Sequence, residues 1–320
     1  MKRRTLLQQA TLAAAGVTAA AVTGWPAEAA ARAAGALAGG LSKKALTVAH
    51  ITDVHIRPES EHKAMSRFAA CLRQVRQHRP DIILNGGDSV YAVDYDNITK
   101  DRVLELWNCW NDSIASIRDI PMFSVLGNHD MWWKGKGDAL YGKPGALKML
   151  GLQNRYYSFD RGGWHFILLD SNHPETPGML DDEQWAWFVS DVEQNSKNRP
   201  TLILSHYPLL SCTGIVDNKP DFIGPFKVGG GYNHLDIMKF IDVFNRNKQV
   251  KVCLSGHIHL LDRVRYNDVH YLCNGAVSGF WWEPGDDGKS SYKQTGPGYS
   301  ILHLYTDGSF DHEYIHFESL

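Results

Sequence analysis

An α/β fold of two packed sheets with flanking helices is predicted by three features of the sequence. Five short apolar, β-branched runs, 46–51, 82–84, 122–126, 201–204 and 250–254, are bounded by Gly or Asp and read as buried strands. Stretches with helical spacing separate the first three runs, giving a β-α-β-α-β order with right-handed crossovers and parallel character. Each run leads directly into Asp, His or Asn, and ligands of open α/β sheets bind beyond the carboxyl ends of the strands. The five strand ends are therefore expected to converge on one site.

The elements follow in order. The first run delivers Asp53 and His55. A helix is expected over 61–77, with Met65, Phe68, Leu72 and Val75 on one face and Pro80 beyond its end. The second run delivers Asp88. A second helix, 98–117, carries Val103, Leu106, Trp107, Trp110 and Ile114, and the third run delivers Asn128 and His129. Residues 131–151 read as a loop over the site with a short helix, and 155–159 with 164–169 as a hairpin around Arg161-Gly162-Gly163. A helix over 181–194 precedes the run that delivers His206. The Gly- and Pro-rich stretch 211–233 reads as a long loop flanking the site. A helix over 234–245 precedes the run delivering His257 and His259, and strands 263–266, 269–273, 299–305 and 310–317 complete one catalytic domain, 45–320.

The chain of 320 residues is long enough for one large core, and its 33 basic and 35 acidic residues include no long single-sign run after the N-terminus. No nucleic-acid-binding surface is therefore expected. Five scattered cysteines, without a C-x-x-C spacing, exclude a disulfide framework.

The N-terminus differs from the rest. Lys2-Arg3-Arg4 opens a stretch free of charge until Glu28, and Ala27-Glu28-Ala29 has the spacing of a signal-peptidase site. Paired arginines before a weakly apolar segment resemble a twin-arginine signal, so 1–29 is read as a signal peptide and 30–44 as a linker. Gln8, Gln9, Thr11, Thr18 and repeated Ala make a poor spanning helix. The expected partner is the twin-arginine export machinery and the expected location periplasmic or secreted. Cleavage after Ala29 would leave 30 basic and 34 acidic residues.

Two cations held a few Å apart repel each other, so a shared, negatively charged ligand is required between them. Asp88 is the candidate. Asp53, His55 and His259 would complete the shell of one ion, and Asn128, His206 and His257 that of the other. Imidazole, carboxylate and amide ligands suit Fe, Mn or Zn, and the lack of thiolates argues against a structural zinc site. A two-metal site polarises a phosphoryl oxygen and lowers the pKa of a bridging water, whose hydroxide attacks phosphorus in line. His129, next to a ligand but free itself, is placed to protonate the leaving alcohol, and Asp130 to orient that imidazole.

The order Asp53-x-His55, Gly87-Asp88, Gly127-Asn128-His129-Asp130, His206, Gly256-His257-x-His259 resembles the calcineurin-like metallophosphoesterase superfamily, over about two thirds of the chain. The resemblance implies a four-layer α/β/β/α sandwich with a dinuclear centre at its strand ends, and carries the same metal and acid roles to these residues. The Gly-Asn-His-Asp form is closest to the cyclic-nucleotide and glycerophosphodiester phosphodiesterase branch. Gly87-Asp88-Ser89-Val90-Tyr91 also matches a motif of purple acid phosphatases in which the Tyr is an iron ligand, but those enzymes typically lack the His that stands here as His55. The reading is a phosphodiesterase acting on a small phosphate ester, with Tyr91 left to packing or to a supporting place behind the ligands. A phosphomonoesterase and a non-catalytic metal-binding scaffold are the alternatives. Arg57 and Arg161 are the candidates for a monoester clamp, and Trp132, Trp133, Lys134, Tyr207, Trp281 and Trp282 are aromatic or cationic residues near the motifs.

Overall fold

A computed structural model of the chain describes residues 42–213, 231–283 and 295–317. The expected signal peptide, nearly all of the linker, and 214–230 of the expected long loop lie outside the described residues. Two mixed sheets are present. The first is ordered β11-β10-β1-β2-β3, from β1 (Lys44–Ile51), β2 (Ile82–Asn85), β3 (Met122–Ser124), β10 (Gly298–Tyr305) and β11 (Phe310–His316). The second is ordered β4-β5-β6-β7-β9-β8, from β4 (Tyr157–Arg161), β5 (Trp164–Leu168), β6 (Thr201–Leu204), β7 (Val250–Ser255), β8 (Asp262–Tyr266) and β9 (Val269–Cys273). The motif-bearing strands pair in parallel, β1 with β2 and β2 with β3 in one sheet, and β6 with β7 in the other.

The period-2 alternation of side chains sorts each strand between two layers. Val48, Leu84, Phe166, Leu202, Val252 and Leu302 meet between the sheets. Their neighbours Ala49, Ile83 and Ile301 face α1 (Ala64–Gln77) and α2 (Lys100–Ile114), packing with Phe68, Leu72, Trp107 and Trp110. On the other side Ile167, Ile203 and Cys253 meet Phe188 of α4 (Asp182–Ser190) and Phe240 and Phe244 of α5 (Ile237–Arg246). Three apolar layers between four structural ones make the expected α/β/β/α sandwich. All five cysteines are unpaired, and four of them are buried.

Several boundaries differ from the sequence expectation, for local reasons. The helix expected from residue 61 begins at Ala64, because His62 and Lys63 adopt positive φ of 57° and 55°. The helix expected over 98–117 starts where the Thr99 hydroxyl accepts from the Arg102 N–H, and tightens into a 3-10 turn at Ala115–Ile117. The 181–194 helix is capped by Asp181 and passes into a π turn at Asp191–Asn195. The short helix expected within 131–151 is α3 (Gly142–Leu150). Among the described residues no helix is long and apolar enough to cross a membrane.

Candidate metal centre

All seven expected ligands come from the loops that follow β1, β2, β3, β6 and β7. Five of them, Asp53, His55, Asp88, His257 and His259, sit at positive φ, between 45° and 71°. Left-handed backbone is unfavourable for residues with a Cβ, although Asp and His tolerate it better than most. Such strain persists only where surrounding structure fixes it, and here it turns each side chain back over the strand ends. Two glycines let the loops close on one another. A Cβ on Gly127 would lie 2.0 Å from the Asp88 nitrogen, and one on Gly256 2.1 Å from Asp53 Oδ2.

The donors form two groups, Asp53 with His55 and His259, and Asp88 with His206 and His257, each with its ligand atoms within 4.8 Å of one another. In the first, His55 Nε2 lies 3.0 Å from His259 Nε2, and His259 Nε2 3.4 Å from Asp53 Oδ1. In the second, His206 Nε2 lies 2.9 Å from Asn128 Oδ1 and 3.2 Å from His257 Nδ1. Asp88 Oδ2 lies between the groups, 3.3 Å from His206 Nε2 and 3.7 Å from His55 Nε2. One oxygen of Asp88 thus stands within 3.7 Å of an imidazole nitrogen of each group.

The tautomers fit a cation in each group. His206 Nδ1 faces the Gly86 carbonyl at 2.8 Å, His259 Nδ1 that of Gly279 at 3.0 Å, and His257 Nε2 that of Gly231 at 2.6 Å. A carbonyl only accepts, so each of these nitrogens carries the proton and the inward nitrogen offers a lone pair. Burial drives the His257 pKa down to about 3 and lowers that of His55, keeping both rings neutral. Burial also opposes charge on His206, but the adjacent Asp88 carboxylate outweighs it and raises its pKa to about 9. A cation held in this group would take the place of that proton. Burial opposes charge on Asp53, but a protonated His259 outweighs it through its hydrogen bond and charge and lowers the pKa, and a cation in this group would supply that charge instead. The His257 N–H and the Thr52 hydroxyl fix its orientation, at 2.9 and 2.6 Å.

His129 lies beside these ligands, its ring 5.5 Å from that of His55, and its Nδ1 is bonded to Asp94 Oδ1 at 2.6 Å. This corrects the expectation for Asp130. Its oxygens accept instead from the N–H groups of Asp88, Ser89, Val90 and Gly127, at 3.0, 2.8, 3.3 and 2.9 Å. Burial and Asp88 favour a neutral Asp130 while the amides favour the charged one. Four donors with no acceptor fit a carboxylate. Asp130 therefore clamps the Asp88 and Asn128 loops together, and Asp94 holds the imidazole. The bond from the Val93 N–H to the His129 carbonyl, 3.1 Å, helps place Asp94 there, and nothing in the local sequence marks it.

The remaining candidates separate clearly. The Arg57 guanidinium lies 4.1 Å from the centroid of Tyr91 and donates to the Trp281 carbonyl, so Tyr91 serves packing and Arg57 supports the loop. Arg161 ends β4, in a turn whose Gly162 abuts Leu46 at the start of β1, the end remote from the ligands. The Trp281 indole stacks on His55 at 3.8 Å. The Tyr207 ring lies tilted against His257, with centroids 4.0 Å apart. The Trp133 ring meets Tyr141, and Lys134 is paired with Asp96.

Comparison with known proteins finds relatives of the chain. A 3',5'-cyclic-nucleotide phosphodiesterase of Nostoc sp. is 27% identical over 281 residues, covering 84% of this chain and 91% of that protein. A probable cyclic nucleotide phosphodiesterase of Colwellia psychrerythraea is 22% identical, over 84% of this chain and 94% of that protein. Purple acid phosphatase 21 of Arabidopsis thaliana is 27% identical, but over 61% of this chain and 41% of that protein. The crystal structure of a dimetal phosphatase from Danio rerio has the same fold, with a TM-score of 0.59 at 14% identity, over 82% of this chain and 94% of that one. Residues 46–261 match the calcineurin-like phosphoesterases; the chain belongs to that family and is a hydrolase of phosphoric esters.

Proposed function

We propose that the chain is a dinuclear phosphodiesterase, holding one cation through Asp53, His55 and His259 and a second through Asn128, His206 and His257, with Asp88 shared. The observation that carries this reading is the position of Asp88 Oδ2, within 3.7 Å of a histidine nitrogen from each group. Iron, manganese or zinc suits these nitrogen and oxygen donors. When bound, such a pair supplies Lewis acidity toward a phosphoryl oxygen and a nucleophile at neutral pH.

The chain's own contribution is placement and proton transfer. With Nδ1–H donated to Asp94, His129 presents Nε2 as the donor to a departing alkoxide. Asp94 and Asp88 both favour the imidazolium against burial, and the His129 pKa is raised. Of the arginines put forward as a clamp for a terminal phosphate, Arg57 is engaged with Tyr91 and the Trp281 carbonyl and Arg161 lies at the strand end remote from the candidate ligands, which favours a diester. The similarity to cyclic-nucleotide phosphodiesterases points the same way.

The purple acid phosphatase reading draws on Gly87-Asp88-Ser89-Val90-Tyr91 and on the Arabidopsis relative, but His55 stands in the first donor group and Tyr91 beneath Arg57. Turnover of bis-aryl and mono-aryl phosphates by one metal-loaded preparation separates the two. The diester is expected to be the better substrate, and preference for the monoester would overturn the reading. The residues at 1–29 support twin-arginine export to the periplasm or beyond. Replacing Arg3-Arg4 by Lys-Lys is expected to leave precursor in the cytoplasm, and normal export of that variant would refute the assignment.

A further inference from the structure

The loop that covers His55 adopts a costly backbone conformation. Trp281 and Trp282 follow one another at φ of 55° and 66°, a left-handed pair of bulky residues. Trp282 is fully buried, donates its indole N–H to the Val54 carbonyl at 2.7 Å and packs under Arg67, so the core accounts for it. Trp281 is not part of that core. Its carbonyl is held by Arg57, and its half-buried indole stacks on His55 at 3.8 Å and meets His129 edge-on at 5.0 Å. Tyr95, 43% exposed and also outside the core clusters, meets the same imidazole edge-on at 5.9 Å. Tyr91 joins the two rings, 5.3 Å from Trp281 and 6.2 Å from Tyr95. A continuous aromatic wall therefore borders the proton donor.

We infer that Trp281 and Tyr95 determine specificity by stacking against an aromatic group on the leaving alcohol, so that the site selects nucleoside diesters over aliphatic ones. The leaving oxygen has to reach His129, and whatever that oxygen carries then lies against these two rings. Flat π-faces suit a nucleobase of any kind, since stacking does not depend on hydrogen-bond readout. The inference rests on the reading of His129 as the donor.

The test compares the metal-loaded wild type with Tyr95→Ala, Trp281→Leu, Tyr95→Phe and Trp281→Phe, with metal content measured throughout. Two diesters with alkyl leaving groups are used, adenosine 3',5'-cyclic monophosphate and glycerophosphocholine, and calorimetry reads the binding of adenosine 5'-monophosphate against glycerol 3-phosphate. In Tyr95→Ala and Trp281→Leu the kcat/KM ratio of the cyclic nucleotide to the glyceryl diester is expected to fall about ten-fold, mainly through KM, as for the loss of one stacked base. The Phe variants are expected to restore it. An unchanged ratio, an equal loss on both diesters, failure of the Phe variants to restore selectivity, or release of the metals by the substitutions would overturn the inference. If the wild type hydrolyses neither diester yet binds the nucleotide in preference, and the preference vanishes in the variants, the phosphodiesterase reading fails and the aromatic wall stands. A wild type without that binding preference overturns the wall itself.

Discussion

At the scale of single residues, the convergence of the seven candidate ligands was legible because each follows an apolar run at a strand end, so residue type and topology pointed to the same place. Asp94 was not legible. It sits in the polar stretch Asp94-Tyr95-Asp96, where an acidic residue is unremarkable, and meets His129 only through the fold. Asp130 misled for the opposite reason, because adjacency in the 3-10 turn at Asn128–Asp130 sends its side chain inward to the backbone and not toward the neighbouring imidazole. The corrected roles differ in consequence. His129→Gln is expected to keep both metals and lose about 10²–10⁴ in kcat on substrates with alkyl leaving groups, the usual range for a general acid. Asp94→Asn should lose less, in the same substrate order, and nitrophenyl esters, whose leaving group needs no proton, should be least affected. Metal analysis beside kcat on both ester types checks this, since loss of metal would contradict it. Asp130→Asn instead brings an amide –NH2 against N–H donors. It should cost about 1.5–3 kcal/mol of stability and about 10–100-fold in metal affinity, read from denaturant midpoints and metal titration.

At the scale of elements, strand existence and order were legible, while helix ends were set by local backbone that composition does not reveal, such as the left-handed His62-Lys63 pair before α1. One element contact carries a pH signature away from the metal centre. His165 on β5 lies between Asp160 of β4, at 2.7 Å, and Asp191 of the π turn, at 2.8 Å. Burial alone would lower its pKa, but the hydrogen bonds to Asp191 and Asp160 outweigh burial and raise it. A raised folded-state pKa means stabilisation that is fully present below the unfolded value of about 6.5 and is lost as pH climbs through the folded one. The stability difference between wild type and His165→Gln should therefore be largest near pH 6 and shrink toward pH 9 in urea denaturation. A difference constant across that range would refute the arrangement.

At the scale of the whole molecule, two sheets packed face to face bring the ends of β1 and β2 in one sheet to those of β6 and β7 in the other. Neither sheet alone holds the complete donor set. Asp53, His55, Asp88 and Asn128 come from the first, and His206, His257 and His259 from the second, so the proposed centre spans the sandwich and its ions should link the sheets. Sequence motifs could name these candidates, but the position of Asp88 between the groups depends on how the sheets pack. The most direct measurement is metal stoichiometry of the folded protein with and without that carboxylate. Two ions per chain are predicted for the wild type, and both should be lost in Asp88→Ala while circular dichroism reports an intact fold. A single ion in the wild type, or two retained by a folded Asp88→Ala, would contradict a shared centre.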